Sequence, residues 1–125
     1  MSHITISLPI RTTNPLNGQT GNSRFAAIIR TKQRHETRSC VRLHVYAELA
    51  RSAVSLPVSV RITRLSAGTL DAWDGLPGAL KPVVDAVADA FGVRDDDARI
   101  TWEKPEQRKC PRGSYGLEIH IEARA

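Results

Sequence analysis

The stretch LDAWDGLPGALKPVVDAVADAFGVRDDDARI, from Leu70 to Ile100, decides how this chain is read. Leu76, Leu80, Val83, Val84, Val87 and Phe91 recur at spacings that put them on one face of a helix. Gly92 is placed to stop that helix in a left-handed cap. Proline is tolerated in a first helical turn and disrupts an interior, so Pro82 predicts that the regular helix begins near Leu80 or Lys81. Carboxylates bracket the segment: Asp71 and Asp74 precede it, Asp95, Asp96 and Asp97 follow it, and Lys81, Asp85 and Asp89 line a face beside the apolar one.

Strands flank this helix. Val58, Val60 and Ile62 alternate with Ser59, Arg61 and Thr63 in a segment running from Pro57 to Leu65 that leads into the acidic stretch. Ile100 and Trp102 share one side of a strand from Arg99 to Glu103, and Leu117, Ile119 and Ile121 alternate with Glu118, His120 and Glu122. Between those two strands, EKPEQRKCPRGS is rich in proline, glycine and cations, and reads as a long exposed hairpin connection carrying Lys104, Arg108, Lys109 and Arg112. At the start of the chain, Ile4, Ile6 and Leu8 form the apolar side of a first strand, followed by a polar loop, TTNPLNGQTGNS, that contains Asn14.

From Arg24 to about Ala53 the pattern is helical, with Phe25, Ile29, Cys40, Leu43, Ala47, Ala50 and Val54 as the expected inner face. Arg30, Arg34, Arg38 and Arg42 follow at four-residue steps and form a slanted cationic stripe. That stripe is either a solvated helix face or a phosphate-tracking surface. The order strand, helix, strand, helix, strand, strand predicts an α+β fold over residues 1–125, a single domain. In it, two helices pack on one face of a small mixed or antiparallel four-stranded sheet. That every strand alternates argues against a doubly wound sheet buried on both faces.

The 125-residue chain carries 18 Lys and Arg against 13 Asp and Glu, a net charge of +5. The excess lies outside the acidic stretch and favours an anionic partner such as nucleic acid. Cys40 and Cys110 have no metal-ligand spacing, and with no apolar run long enough to span a bilayer the reading is a cytoplasmic protein that does not enter a membrane. Clustered aspartates beside a lysine suit a hard cation such as Mg²⁺, which binds through one or two carboxylates, water and substrate phosphate. The alternative is that Asp74 caps the helix and residues 95–97 form a polar turn, and composition leaves both open.

The segment resembles the core motif of RusA-type Holliday junction resolvases, small homodimeric Mg²⁺-dependent endonucleases often carried by phages and prophages. Their pattern runs Asp-x-Asp-Asn-Leu, a lysine, Asp-Ala-Leu on the helix, a short turn and Asp-Asp. Here Asp74-Gly75-Leu76 stands at the Asp-Asn-Leu position, Lys81-Pro82-Val83-Val84-Asp85-Ala86-Val87 follows the lysine-to-helix segment, and Asp95-Asp96 matches the terminal pair. The first strand ending in Leu8-Pro9 and the loop with Asn14 are similar as well. Gly75 stands where the family has asparagine, and two residues rather than one separate Asp71 from Asp74.

The resemblance implies a structure-specific endodeoxyribonuclease that cuts branched DNA, in recombination and repair. It implies Asp71, Asp74 and Asp96 as metal ligands, with Asp95 exchanging for Asp96 after a one-residue shift. Lys81 would stabilise the phosphate or leaving group, Asp85 would be a structural partner of Lys81, and Asn14 would belong to a DNA-binding loop. The arginine stripe and the Lys104 to Arg112 segment would hold phosphates.

A straight helix from Leu76 to Phe91 is about 24 Å long, too long for carboxylates at its two ends to share one ion. Either Pro82 breaks it, or a second subunit supplies a carboxylate across a two-fold axis, which makes a homodimer part of the expectation. Two other readings stand beside the enzyme: a catalytically weakened branched-DNA-binding protein, and a phage regulatory or interaction protein.

Overall fold

The computed structural model describes residues 2–12, 24–70 and 75–124, the side chains of residues 24–27 and 30 excepted. Seven elements follow in order: β1 His3–Leu8, α1 Arg24–Arg51, β2 Val58–Ser66, α2 Gly75–Phe91, β3 Ile100–Trp102, β4 Glu106–Lys109 and β5 Gly116–Ala123. The class is α+β, as the alternation of short strands with two helices requires. The sheet runs β1-β5-β2-β3, with β4 also on β2, and it is mixed: β5 is antiparallel to both β1 and β2, whereas β3 and β4 run parallel to β2.

Period-two alternation places the core. Ile4, Ile6 and Leu8 lie opposite Ile121, Ile119 and Leu117, and these last two isoleucines also face Val60 and Ile62 of β2. This face of the sheet joins Leu76, Leu80, Val83 and Val87 of α2 and Val41 and Val45 of α1 in one buried cluster. Each such side chain contributes roughly 1.5–3 kcal/mol by leaving water. The other sheet face carries Thr5, His120, Arg61 and Glu118.

The segment from Lys104 to Arg112 differs from the expected hairpin connection. Its middle is β4, a fifth strand, and β2 separates it from β5. β3 and β4 together form one interrupted edge strand. The partner offset is 42 at Val58↔Ile100 and 43 at Thr63↔Glu106, so one extra residue is absorbed around Pro105. Proline has no N–H to give a ladder, and an edge or a bulge is where a strand tolerates it. Glu106 to Lys109 lacks an apolar pattern because none of its side chains is buried in the core.

α2 also departs from expectation. It is continuous from Gly75 to Phe91 with Pro82 inside, so no break occurs there. The residue four positions earlier, whose carbonyl meets the proline ring, is Gly78. The C-terminus is as predicted: Gly92 has φ of +74°, its N–H donates to the Asp89 carbonyl at 2.9 Å, and Val93 N–H donates to Ala88 at 3.1 Å, a Schellman cap.

The inner face of α1 is rotated from the one predicted. Val41 and Val45 are fully buried, while Leu43 is 63% exposed and Ala47 and Ala50 are exposed. α1 has so few apolar residues that two stripes can be drawn through them. Packing against α2 selects the one that lies beside Arg38. No helix among the described residues is long and apolar enough to cross a membrane.

Candidate functional site

The turn after α2 builds the site. Past the Gly92 cap the chain doubles back along the helix, and Asp97 closes the next turn by accepting from Arg99 N–H at 2.9 Å, which launches β3. Trp102 donates its indole N–H to the Asp95 carbonyl at 2.8 Å, pinning the returning strand to the sheet edge. Asp95 thereby reaches Lys81: Nζ to Oδ2 is 2.7 Å, and the same ammonium lies 3.0 Å from Asp85 one turn along. Chain reversal thus brings Asp95 to the lysine while the helix stays continuous through Pro82.

The charges continue in alternation. Asp85 lies 3.9 Å from Arg38 of α1, and Arg38 grips Asp89 with two hydrogen bonds of 2.7 and 2.9 Å. The hydrogen bonds that Lys81 donates to Asp95 and Asp85 raise its pKa, and the bond to Lys81 lowers that of Asp95. Asp89 is lowered by Arg38, whose own pKa is raised by the same contact. All of these residues retain solvent access, so each pair stabilises the fold by only about 0–1 kcal/mol.

A buried hub sits at the end of β2. Arg64, 6% exposed, donates from Nε to the Thr12 carbonyl and hydroxyl at 3.2 and 3.1 Å, from Nη2 to the same carbonyl at 3.1 Å, and from Nη1 to Gly68 at 3.0 Å. Burial lowers its pKa. Gln107 of β4 meets Leu70 like a strand partner, accepting from its N–H and donating to its carbonyl, both at 2.8 Å. These contacts fix Thr12 and Leu70, the described residues that come just before 13–23 and 71–74.

The predicted site residues fare differently. Asp71, Asp74 and Asn14 lie outside the described residues, as does the Arg30 side chain. Lys81, Asp85 and Asp95 are brought together. Asp96 is not: its carboxylate is 71% exposed and lies 3.4 Å from Arg94, so Asp95 is the member of the pair at the lysine. Arg34 and Arg42 are exposed on α1, whereas Arg38 is committed to Asp89. Arg108 is tied to Glu118 at 3.3 Å, and Lys104, Lys109 and Arg112 are exposed.

Arg64, Gln107 and Trp102 position the site and were not singled out by sequence. Arg64 breaks the apolar run on the inward side of β2, which is the one local sign of it.

Lys81 stands between two clefts. One, about 230 Å³, lies between the helices and is lined by Arg34, His35, Arg38, Lys81 and Asp85. The other, about 380 Å³, is mostly apolar and runs between α2 and the interrupted edge strand, over Leu80, Val84 and Trp102.

The acceptors that converge on Lys81 are carboxylate oxygens, the ligand type Mg²⁺ takes, and both Asp85 and Asp95 are paired with the ammonium. Among the described residues there is no group of three metal-ligating side chains. No protein-family model matches the chain, and no curated protein matches it.

Proposed function

We propose that this chain is a Mg²⁺-dependent endodeoxyribonuclease that cuts Holliday junctions or other branched DNA by phosphodiester hydrolysis, in the manner of RusA-type resolvases. The observation that carries the reading is the convergence of Lys81 and Asp95 across the Gly92 turn, beside a cleft lined by basic side chains. A lysine fixed in its charged state by two carboxylates is suited to offset charge that develops on a phosphate or leaving oxygen.

Asp95, with Asp71 and Asp74, would hold the metal ion. When bound, the ion supplies an activated water and neutralises developing charge. Asp85 orients Lys81 and keeps it protonated. Arg34 and Arg42, exposed on α1, contact DNA phosphates, and Lys104, Lys109 and Arg112 extend that surface along the sheet edge. Two symmetric cuts in a four-way junction call for two copies, so the working unit is a homodimer.

One observation favours a second reading, a branched-DNA-binding protein with weakened catalysis. Lys81 already neutralises Asp95 at 2.7 Å, and Gly75 offers no side-chain amide to orient a neighbouring carboxylate.

Incubating the protein with a labelled four-way junction, with and without Mg²⁺ and beside an Asp74→Asn control, separates the two. Metal-dependent paired nicks that vanish in the control support the nuclease. Binding without cleavage supports the weakened protein, and absence of binding defeats both.

A further inference from the structure

Two features of the Lys81 neighbourhood remain after the charge network is accounted for. The first is the polarity of the inter-helix cleft. Arg34 and His35 border it, and among the described residues neither pairs with a carboxylate. An anion entering there meets four basic side chains, Arg34, His35, Arg38 and Lys81, against the single carboxylate of Asp85, which is already paired with Lys81.

The second is the apolar groove on the other side of Lys81. It lies between α2, at Leu80 and the half-buried Val84, and the edge strand from Trp102 to Pro105, where the pairing register steps by one residue. Trp102 is a flat wall whose orientation is fixed by its bond to the Asp95 carbonyl. Asp95 and Glu103 stand with Lys81 and Lys104 around this groove. Those carboxylates oppose an anion in the groove, while its apolar floor favours a flat, uncharged ring.

We infer that Lys81 divides a seat for one nucleotide unit of a DNA strand, with the phosphate in the cleft by Arg34 and His35 and the base in the groove against Trp102. Aromatic walls hold unstacked bases without regard to sequence, and bases at a branch point are the ones least costly to unstack. The inference deepens the nuclease reading and rests on it for its source of nucleotides.

The test is equilibrium binding in Mg²⁺-free buffer, using inorganic phosphate, deoxyadenosine, deoxyadenosine 5′-monophosphate and a 5′-phosphorylated tetradeoxyadenylate. The Trp102 indole N–H resonance is followed by NMR and assigned with Trp73→Phe. The monophosphate is expected to bind about tenfold or more tightly than phosphate or nucleoside alone, because the two halves are linked. The tetranucleotide should bind more tightly still. The Trp102 resonance should move with nucleoside and nucleotide and stay in place with phosphate.

Arg34→Gln should weaken phosphate and monophosphate while sparing the nucleoside. Val84→Phe, which fills the groove, should weaken nucleoside and monophosphate while sparing phosphate, and its retained phosphate binding shows that it is folded. A monophosphate no tighter than phosphate, or an unmoved Trp102 resonance, overturns the seat. A tetranucleotide no tighter than the monophosphate overturns its assignment to a strand. Junction cleavage without nucleotide binding defeats this inference and leaves the nuclease reading, whereas nucleotide binding without cleavage does the reverse.

Discussion

Arg64 and Lys81 are both cations held by several oxygen acceptors, and they are held in opposite ways. Arg64 is buried, and its described acceptors are backbone carbonyls, a hydroxyl and a side-chain amide on two loops and a strand. Lys81 is 55% exposed in its side chain and faces two carboxylates. The first arrangement is costly to disturb, because loss of the donor strands buried acceptors. The second contributes little to folding, since exposed ion pairs are screened. Arg64 is therefore architectural, and the proposed function is what assigns Lys81 its work.

The comparison is broken most severely by Arg64→Leu. It leaves the Thr12 and Gly68 carbonyls and the Thr12 hydroxyl without their donor, so unfolding free energy measured in urea should fall by about 3 kcal/mol or more. A loss below about 1 kcal/mol would remove Arg64 from its role. Trp102→Phe is the intermediate case. It deletes the donor to the Asp95 carbonyl and should cost about 1 kcal/mol, with the Asp95 turn gaining faster amide exchange than the rest of the chain.

Lys81→Met should change stability by less than about 1 kcal/mol. Under the proposed function the same variant should slow junction cleavage by roughly 10²–10³, the loss associated with one transition-state donor. Equal damage to stability and cleavage would erase the contrast.

Acid provides the finest probe. Asp95 and Asp89 have folded pKa values below the ordinary carboxylate range, so they bind fewer protons folded than unfolded. Their contribution is present above the unfolded value near 4 and is lost as pH falls through the depressed folded values. Lys81→Met and Arg38→Gln should each flatten that acid limb slightly. Asp97, held by Arg99 down to about 2, should remain ionised at pH 3 in an NMR titration, and Arg99→Gln should return it towards an ordinary value.

Much of the fold could be read from the chain because period and burial coincide. The alternation at Ile4, Ile6 and Leu8 and at Leu117, Ile119 and Ile121 names the core face directly, and Gly92 marks the cap of α2 by its left-handed backbone. Legibility failed where buried apolar residues are absent or sparse. β4 is held by parallel ladder bonds to β2 that its polar sequence does not announce. In α1 the choice between the Val41 and Leu43 stripes is made by α2, which is remote in sequence.

The candidate site divides in the same way. The bond from Lys81 to Asp85 follows from a four-residue step on one helix. Selection of Asp95 over Asp96 depends on a turn tied down by Trp102, and the hub at Arg64 depends on loops that meet only after folding.

The central claim is that Asp95, brought to Lys81 by the Gly92 turn, is the working acid of the terminal pair. It is tested most directly by Mg²⁺-dependent cleavage of a labelled four-way junction by Asp95→Asn and Asp96→Asn, two substitutions at solvent-accessible carboxylates. The account predicts that Asp95→Asn abolishes cleavage and Asp96→Asn preserves it. Loss of cleavage in Asp96→Asn with full activity in Asp95→Asn would contradict it.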